Sequence, residues 1–375
     1  MNNFLDPKST SLTPKSTPPD PNYIIIMAGG IGSRFWPASR EERPKQFLDI
    51  LGIGKSLLRL TYERFIQLVP AENIYVITNE KYRNLVKQEV PELVHAQILG
   101  EPSRNNTAPC IAYAAFKLMG LNPQANLIVA PSDHFIAQET NFLQVVMEGL
   151  EFTEKNDAIL TLGMRPTRPA TGYGYIETGD RYPVSVDRHP IFKVNAFKEK
   201  PKFDTAKQYI EAGNYFWNSG LFLFKAAIIL EGFKQHASQI FKVLVKGDEH
   251  YNTASEQTFL NEWYPKTDSI SVDYAIMERA TNIFCLPADF GWTDLGSWGS
   301  LYEFKEKGDQ KNVALNNTLY AYQSRGNLVR TCKSKSVILK NINNFIIIEE
   351  EDTLLIYPLE DEQEIKQISN EVQKR

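Results

Sequence analysis

The chain has 375 residues, 42% of them hydrophobic and 23% charged, with a formal net charge of −4. This length exceeds the roughly 250 to 300 residues that one hydrophobic core usually serves, so we expect a large domain and a smaller one. The small net charge gives no reason to invoke nucleic acid or an anionic membrane as a partner. The longest apolar runs, 23–28 and 345–348, are far shorter than the roughly 20 residues that span a bilayer.

The cysteines and histidines narrow the kinds of metal site that the chain could form. Cys110, Cys285 and Cys332 are far apart, odd in number and never in a C-x-x-C pair. This pattern argues against a disulfide framework or a thiolate zinc site, and it favours a reducing cytoplasm. The five histidines show no zinc-binding spacing, so we expect oxygen ligands for any metal, with magnesium before zinc.

The order of apolar segments predicts an α/β fold. Residues 1–22 are rich in proline and polar residues and have no apolar core of a signal peptide, so we expect a disordered tail. Short apolar runs then alternate with segments of helical periodicity, which predicts a doubly wound, mostly parallel sheet. The runs are 23–28, 73–78, 95–99, 126–131 and 158–163.

Apolar residues recur at helical spacing between these strands, which predicts helices there. One helix face is predicted by Leu58, Tyr62, Phe65 and Val69, and another by Ile111, Ala115 and Leu118. Further helices are expected at 204–212 and around 273–279, among extended pieces at 191–197 and 219–224.

The last part of the chain has a different pattern. Alternating stretches from about 312 to 358 predict a small β region, closed by a polar helix near the C-terminus, and we detect no convincing internal repeat. The expected organisation is therefore a catalytic domain at 23–310 and a β-rich C-terminal domain at 311–375. The strands 336–342 and 344–350 are expected to pack against each other or against the catalytic domain.

A glycine-rich turn follows the first predicted strand at 28–34. A dinucleotide fingerprint counted from Gly30 would need glycine at Phe35, and a Walker A loop ending at Gly54 would need glycine at Asp49, so both alternatives fail. Taken alone, the glycines are equally consistent with phosphate binding and with a tight turn from strand to helix.

The continuation of this turn is more specific. The whole stretch GGIGSRFWPASREERPKQF, at 29–47, resembles the signature of sugar-nucleotide pyrophosphorylases, specifically the short, monofunctional bacterial mannose-1-phosphate guanylyltransferases. Similar motifs follow in order over roughly 23–305: EPSRNNTAPCIA, LIVAPSDHFI, TGYGYI, FKEKP, WNSGLFLF, SVDYAIMER and FGWTDLGSW. The resemblance implies the nucleotide-diphospho-sugar transferase fold, a Rossmann-like mixed sheet with a small C-terminal β domain.

The family's reaction implies a function for the chain. A sugar 1-phosphate oxygen attacks the α-phosphorus of a nucleoside triphosphate, so GTP and mannose 1-phosphate would give GDP-mannose and pyrophosphate. A sugar phosphate with a second pKa of about 6 is mostly ionised at pH 7, so no serine nucleophile or general base is needed. Cations and a metal, by resemblance Mg²⁺, would stabilise the charge that moves to pyrophosphate.

The resemblance also assigns roles to individual residues. Arg34, Lys45 and Lys200 are expected to be catalytic, and Asp133 and Asp294 to share the metal, although Asp133 alone could simply cap the next helix. The nucleotide is expected at Ala28, Gly29, Gly30, Gly32, Ser33, Arg34, Lys45, Asn106 and Ser132. The sugar phosphate is expected at Gly174, Glu199, Lys200 and Asn218.

Two family positions differ in this chain, and other functions remain open. Asn105 stands where arginine is common and Ser132 where alanine is usual, so the guanine assignment rests on the resemblance. The alternatives are another base or hexose, a noncatalytic sugar-nucleotide-binding paralogue, or an unrelated NAD or ATP protein. No histidine follows His250, so we expect a single function without a histidine-bound isomerase metal. The additional β domain would suit a homodimer.

Overall fold

The computed structural model of the protein describes residues 20–183 and 189–372. Most of the tail predicted at 1–22 therefore lies outside the described residues. Asn22, its last residue, already belongs to the first strand and pairs with Asn126.

A mixed sheet of nine strands forms the centre of the part that the structure describes, in the order β3-β2-β1-β4-β9-β6-β10-β8-β7. Its strands are β1 Asn22–Met27, β2 Ile74–Asn79, β3 Ile98–Glu101, β4 Asn126–Pro131, β6 Ile159–Met164, β7 Tyr175–Tyr182, β8 Ile191–Lys198, β9 Tyr215–Lys225 and β10 Ile283–Ala288. A separate two-stranded ribbon consists of β5 Phe135–Ile136 and β11 Trp292–Thr293.

The two halves of the sheet differ in strand direction. Strands β1 to β4 are parallel, whereas β9 runs antiparallel to both β4 and β6, and β7 and β8 pair antiparallel. The expected α/β class with a doubly wound mixed sheet is confirmed. The five predicted runs all contribute strands, although in the third only Ile98 and Leu99 are extended, because His95–Gln97 forms a 3-10 turn.

Helices cover both faces of the sheet. They are α1 Leu57–Phe65, α2 Arg83–Glu89, α3 Thr107–Leu121, α4 Glu139–Lys155, α5 Phe203–Ala212, α6 Ala226–His236, α7 Ser238–Leu244, α8 Glu256–Trp263, α9 Trp298–Phe304 and α10 Ile365–Val372. The helix expected at 204–212 is present, but the one expected around 273–279 is a π-helical turn, Asp273–Met277. None of these helices is long and apolar enough to span a membrane within 20–183 and 189–372.

The C-terminal region forms stacked coils, and most of its parallel pairs share one offset in sequence. Its strands are β12 Val313–Tyr322, β13 Leu328–Lys340, β14 Phe345–Glu349 and β15 Leu354–Pro358. The parallel pairs Asn317 with Lys335, Leu328 with Ile346, and Arg325 with Asn343 are each 18 residues apart, as in a parallel β-helix. The repeat is not evident in the sequence because the first rung is offset by only 15 residues, Val313 to Leu328.

These coils pack on the glycine-rich turn. One buried cluster joins Phe35 and Trp36, which directly follow the turn, with Trp298 of α9 and with Leu328 and Ile346 of the coils. The Trp298 indole lies 4.8 Å from the Phe35 ring and donates to the Trp36 carbonyl at 3.0 Å. The strands therefore pack both on one another and on the preceding domain, while the domain boundary at 310 stays a prediction.

Candidate functional site

The carboxyl ends of β1 and β4 form the centre of the candidate site. These neighbouring strands are parallel, and the chain leaves β1 toward β2 on one side before it returns to β4 on the other. Such a switch in strand order opens a crevice at the carboxyl ends, where open α/β sheets bind their ligands. Ala28 follows β1 and Ser132 follows β4, so both predicted segments begin at this crevice.

The glycine-rich turn is held in place by the second part of the signature. The Gln46 amide, almost fully buried, donates to the Ala28 carbonyl at 2.9 Å and to the Gly30 carbonyl at 3.0 Å. The Lys45 amide donates to the Ile31 carbonyl at 3.1 Å. With these carbonyls bound, the conformation of the turn is fixed before any ligand arrives.

Gly32 is required by the geometry of this turn. Its φ of 75° is left-handed, and a Cβ atom there would lie 2.4 Å from the Cβ of Lys45. Gly30 differs, because a Cβ atom at that position would meet nothing within 4 Å.

The Lys45 ammonium joins the two segments predicted to hold a metal. It is 3% exposed and donates to the Asp133 carboxylate at 3.0 Å, to the Asp133 carbonyl at 3.2 Å and to the Asp294 carbonyl at 2.8 Å. Burial raises the pKa of Asp133, but the Lys45 charge, the neighbouring His134 and the hydrogen bonds to the carboxylate together outweigh burial and hold this pKa below its usual value. Asp133 is therefore ionised, and it does not cap the next helix, whose N-cap is Gln138.

The ribbon of β5 and β11 explains how two aspartates that are far apart in the sequence lie on neighbouring segments. Phe135 pairs with Thr293 and Ile136 with Trp292, so the residues just outside the ribbon, including Asp294, lie beside the segment of Asp133. The Asp294 carboxylate accepts a hydrogen bond from the Tyr173 hydroxyl at 2.8 Å.

His134 beside the ribbon has a structural role. Burial lowers its pKa, so the ring is neutral, and its Nδ1 accepts from the Trp292 indole at 3.2 Å. This bond fixes the Trp292 ring, which packs against Tyr173.

All four residues predicted for the sugar phosphate line one cavity of about 240 Å³. Gly174, Glu199, Lys200 and Asn218 share this cavity with Asp294. Met27 and Pro131, the last residues of β1 and β4, also line it, so the cavity opens beside the glycine-rich turn.

Close packing shapes the wall of this cavity. A Cβ atom on Gly174 would lie 2.4 Å from a carboxylate oxygen of Glu199, so a larger residue there would displace this carboxylate. The Lys200 ammonium lies 3.0 Å from the Glu199 carboxylate, and the Lys200 side chain remains 62% exposed. Lys200 also has a φ of 46°, a strained conformation for a residue with a side chain, and such strain is concentrated at functional sites.

Asp273 is a site residue that the sequence analysis missed. It lines the cavity, and its carboxylate accepts from the Asn218 amide at 2.8 Å. Burial, with repulsion from Glu199, raises the pKa of Asp273. The only signal in the sequence was its position inside the family-like motif SVDYAIMER.

Glu101 is a second carboxylate that the sequence analysis did not assign. It ends β3, is buried, and one of its oxygens would lie 3.7 Å from a Cβ atom on Gly29. Burial raises its pKa to about 7, although a hydrogen bond from the Tyr264 hydroxyl opposes the shift. Asn105 is buried and donates to main-chain oxygens of Tyr264 and Thr267, so its role is structural.

The other residues predicted for the nucleotide lie around the turn. The Arg34 side chain is exposed and has no hydrogen bond or ion pair within the described ranges. Ser33 follows Gly32 in the same turn, and Ser132 is buried with its amide bound to the Met27 carbonyl. Asn106 has a φ of 69° and caps α3 through its side-chain oxygen.

The carboxylates of Asp133 and Asp294 suit a metal ion whose remaining ligands would come from the substrate. The described parts of the chain contain no group of three acidic, histidine or cysteine side chains able to hold a metal ion. Asp133 and Asp294 supply two hard carboxylates at one end of the sheet. Mg²⁺ commonly binds one or two carboxylates together with phosphate oxygens and water, so this donor set suits it.

Comparisons with known proteins agree on one family. Residues 23–311 match the family model described as nucleotidyl transferase. A mannose-1-phosphate guanylyltransferase of Salmonella muenchen is 37% identical over 92% of this chain and 72% of its own length. The corresponding protein of Escherichia coli K12 is 34% identical over 93% of this chain and 73% of its own length.

Two solved structures extend the likeness to the fold. A Thermus thermophilus protein described as a mannose-1-phosphate geranyltransferase has a TM-score of 0.84 and 28% identity, covering 94% of this chain and 100% of its own. A Helicobacter pylori protein described as a mannose-6-phosphate isomerase has a TM-score of 0.58 and 26% identity, covering 72% of this chain and 99% of its own.

The two glycines of the turn allow a matched test of its geometry. We expect Gly32→Ala to lower the free energy of unfolding by about 1 to 3 kcal/mol, because the new Cβ atom is both strained and in contact with Lys45. Gly30→Ala should leave stability within about 0.5 kcal/mol. Denaturant unfolding of the two variants checks this, and equal effects would contradict the close approach of Gly32 and Lys45.

The Lys45 contacts predict a loss of stability that a surface lysine would not show. We expect Lys45→Met to lower the free energy of unfolding by about 1 to 3 kcal/mol, less than for a fully buried pair, because Asp133 is one-third exposed. Lys55→Met removes an ion pair with Glu63 from a half-exposed lysine and should change stability by less than about 1 kcal/mol. Denaturant unfolding near pH 7 measures both, and a neutral Lys45→Met would contradict this role.

Proposed function

The chain belongs to the nucleotidyl transferase family, among the mannose-1-phosphate guanylyltransferases, and we propose that it transfers the guanylyl group of GTP to mannose 1-phosphate. A phosphate oxygen of the sugar forms the new bond to the α-phosphorus. The bond from that phosphorus to the bridging oxygen breaks, and pyrophosphate leaves with the electron pair. The product is GDP-mannose.

The shared cavity is the observation that carries this proposal. Gly174, Glu199, Lys200 and Asn218 line it together with Asp294, although these residues come from separate parts of the chain. A carboxylate and an amide suit vicinal hydroxyl groups, and an ammonium suits a phosphate dianion. The cavity can therefore hold a phosphorylated hexose beside the glycine-rich turn.

The triphosphate is proposed to bind at the turn. Glycines at positions 29, 30 and 32 let the ligand approach main-chain N–H groups, which bind phosphate oxygens well at such turns. Arg34 lies in the same turn without a partner among the described residues, so its guanidinium is available for the leaving pyrophosphate. Lys45, already bound to both aspartate segments, acts here as a positioning residue.

The two aspartates are proposed to hold a divalent metal, Mg²⁺, between the two substrates. When bound, such an ion would neutralise phosphate charge and stabilise the charge that develops on pyrophosphate. Lys45 keeps Asp133 ionised, and the Tyr173 hydroxyl orients Asp294. Burial and the neighbouring Asp294 raise the pKa of Tyr173, so its hydroxyl stays protonated as a donor.

Glu101 supports guanine as the base. One of its carboxylate oxygens accepts from Tyr264, and the other approaches the turn at Gly29. Guanine presents two adjacent donors, N1–H and N2–H, on its Watson–Crick edge, whereas the N1 atom of adenine is an acceptor. An ionised carboxylate beside the turn would therefore favour guanine, because adenine would leave it unpaired in a buried site.

The cytoplasm is the proposed location of this activity. The three cysteines are free, and two of them, Cys110 and Cys285, are buried in the core. Free buried thiols are typical of proteins kept in a reducing compartment.

A panel of substrates tests the function directly. Purified protein would be assayed for pyrophosphate release with five nucleoside triphosphates and with the 1-phosphates of mannose, glucose and N-acetylglucosamine. We expect the highest kcat/KM for GTP with mannose 1-phosphate. A higher kcat/KM with another nucleoside triphosphate or sugar 1-phosphate would contradict the assignment of GTP or of mannose 1-phosphate. If no pair of substrates gave pyrophosphate, a noncatalytic sugar-nucleotide-binding protein would be favoured.

Lys200 is expected to contribute to the reaction rather than to the fold. Lys200→Ala should lower kcat/KM by about 10²- to 10³-fold, the usual scale for one preorganised donor, with an unchanged melting temperature. Lys198, two residues earlier at the end of β8, is also exposed, so Lys198→Ala is the matched control. Steady-state kinetics of both variants decide the question, and equal rates would remove Lys200 from the site.

Glu101 predicts a pH dependence for GTP. Because its pKa is raised to about 7, the carboxylate is protonated below that pH and ionised above it. The ratio of kcat/KM between wild type and Glu101→Gln should therefore rise as the pH increases from 6 to 8. The ratio cancels the ionisation of the substrates themselves, and a constant ratio across this range would contradict base recognition by an ionised Glu101.

A further inference from the structure

The segment that follows the coils returns to the catalytic domain. The terminal segment, as we call residues 359–372, consists of a 3-10 helix, Leu359–Glu364, and of α10. The Leu359 amide donates to the Asn344 carbonyl at 2.8 Å, which ties the start of the segment to the coils. From there α10 lies against Ser33–Phe35, directly after the glycine-rich turn. The terminal segment therefore contacts both domains.

Buried residues anchor α10 in this position. Ile365 and Ser369, one helical turn apart, are 0% and 3% exposed. Ile365 belongs to the same buried cluster as Phe35 and Trp298. The first residue of α10 is thus fixed in the core, and the 3-10 helix immediately before it is held in place.

Glu362 of this 3-10 helix binds the start of α9. Its carboxylate accepts hydrogen bonds from the Ser297 hydroxyl at 2.9 Å and from the Gly299 amide. The first N–H groups of a helix have no partner inside the helix, so the carboxylate satisfies one of them. The contact is close, because a Cβ atom on Gly299 would lie 2.4 Å from a Glu362 oxygen.

The start of α9 continues directly from the loop that contains Asp294. The Asp294 carboxylate accepts from the Gly296 amide at 3.1 Å, and the Leu295 amide donates to the Thr293 hydroxyl at 3.2 Å. Only two residues separate Asp294 from Ser297. A displacement of Ser297 would therefore be transmitted to the Asp294 carboxylate.

Leu295 shows that this loop is under strain. Its φ of 43° is unfavourable for a residue with a side chain, and the side chain is fully buried in the cluster that contains Ile365. Such conformations persist only where the surrounding structure holds them. The terminal segment supplies that structure on both sides of Leu295, through Ile365 in the cluster and through Glu362 at Ser297.

We propose that Glu362 is a positioning residue for the divalent metal of the site. Through Ser297 and Gly299, its carboxylate holds the loop 294–297 in the conformation in which Asp294 can share a metal ion with Asp133. This inference rests on the metal site of the proposed function. Glu362 does not touch the metal itself, and outer contacts of this kind typically change metal affinity by about 10- to 100-fold.

A carboxylate suits this position better than an amide. It offers two acceptor oxygens and no donor, which matches the Ser297 hydroxyl and the Gly299 amide. A glutamine at position 362 would keep one acceptor, and its amino group would face one of these donors. Its loss of charge would also weaken the interaction with the positive end of α9.

Glu364 provides a matched comparison within the same 3-10 helix. Its carboxylate accepts from the Tyr357 hydroxyl at 2.6 Å, so it binds β15 of the coils instead of α9. Replacing either glutamate by glutamine removes the same charge and one hydrogen-bonded carboxylate. The two substitutions differ in whether the lost contact leads to the loop of Asp294.

Mn²⁺ binding tests the positioning role without an activity assay. Free Mn²⁺ would be measured by electron paramagnetic resonance during titration of the full chain with GDP-mannose present. Glu362→Gln should raise the Kd for Mn²⁺ by about 10-fold, because the loop of Asp294 is released. Glu364→Gln should leave this Kd within about twofold of the unmodified chain.

Gly299→Ala reaches the same contact from its other side. The new Cβ atom would displace the Glu362 carboxylate while its charge is kept, so the Kd for Mn²⁺ should rise here too. Alanine is a better helix former than glycine, so α9 itself is not weakened. Melting temperatures of the variants, expected near that of the unmodified chain, separate a positioning effect from unfolding.

The possible results distinguish this inference from the metal site on which it rests. If the unmodified chain binds Mn²⁺ and Glu362→Gln binds it equally well, or if Glu364→Gln loses as much affinity, the positioning role is overturned and the metal site stands. If Glu362→Gln does not fold, an unchanged Kd in Gly299→Ala overturns the role instead. An unmodified chain that binds no Mn²⁺ with GDP-mannose present would contradict the metal site and the positioning role together.

Discussion

The buried Lys45 ammonium connects the three parts of the candidate site. Its charge binds the Asp133 carboxylate and the Asp294 carbonyl, while its own backbone amide holds the glycine-rich turn through Ile31. Gly32 lies directly against the Lys45 side chain. Any other residue at position 32 would push the turn away from Lys45, because its Cβ atom would collide with the Cβ atom of Lys45. One side chain therefore connects the glycine-rich turn with the Asp133 carboxylate and with the main chain at Asp294.

The C-terminal coils extend this constraint instead of forming an isolated module. Phe35 and Trp36, just after the turn, share one buried cluster with Trp298 of α9 and with Leu328 and Ile346 of the coils, so this side of the signature rests on the coil region. Arg40 then connects the same signature to the turn after β14. The signature segment at 29–47 therefore has two contact surfaces. One faces the crevice, and the other packs against the C-terminal coils.

The sequence predicts well whatever depends on local pattern or on a contiguous motif. The apolar runs predict the parallel strands, and the family-like motifs identify the enzyme family, both of which are confirmed. Residues whose role depends on partners far away in the sequence were missed. Asp273 accepts a hydrogen bond from Asn218, and Glu101 accepts one from Tyr264. The 18-residue coil was missed because the first rung is offset by only 15 residues, which hides the repeat in the sequence. Lys45 was expected to be catalytic and to bind the nucleotide, whereas its hydrogen bonds to Asp133 and to the Asp294 carbonyl became visible only in three dimensions.

The convergence of Asp133 and Asp294 on one metal is the central claim of this account, and anomalous diffraction tests it most directly. Crystals grown with GDP-mannose and Mn²⁺ would be measured for the anomalous signal of manganese. The account predicts a peak in contact with both carboxylates and with a phosphate oxygen of the nucleotide. A metal peak bound to neither aspartate, with the nucleotide in place, would contradict it.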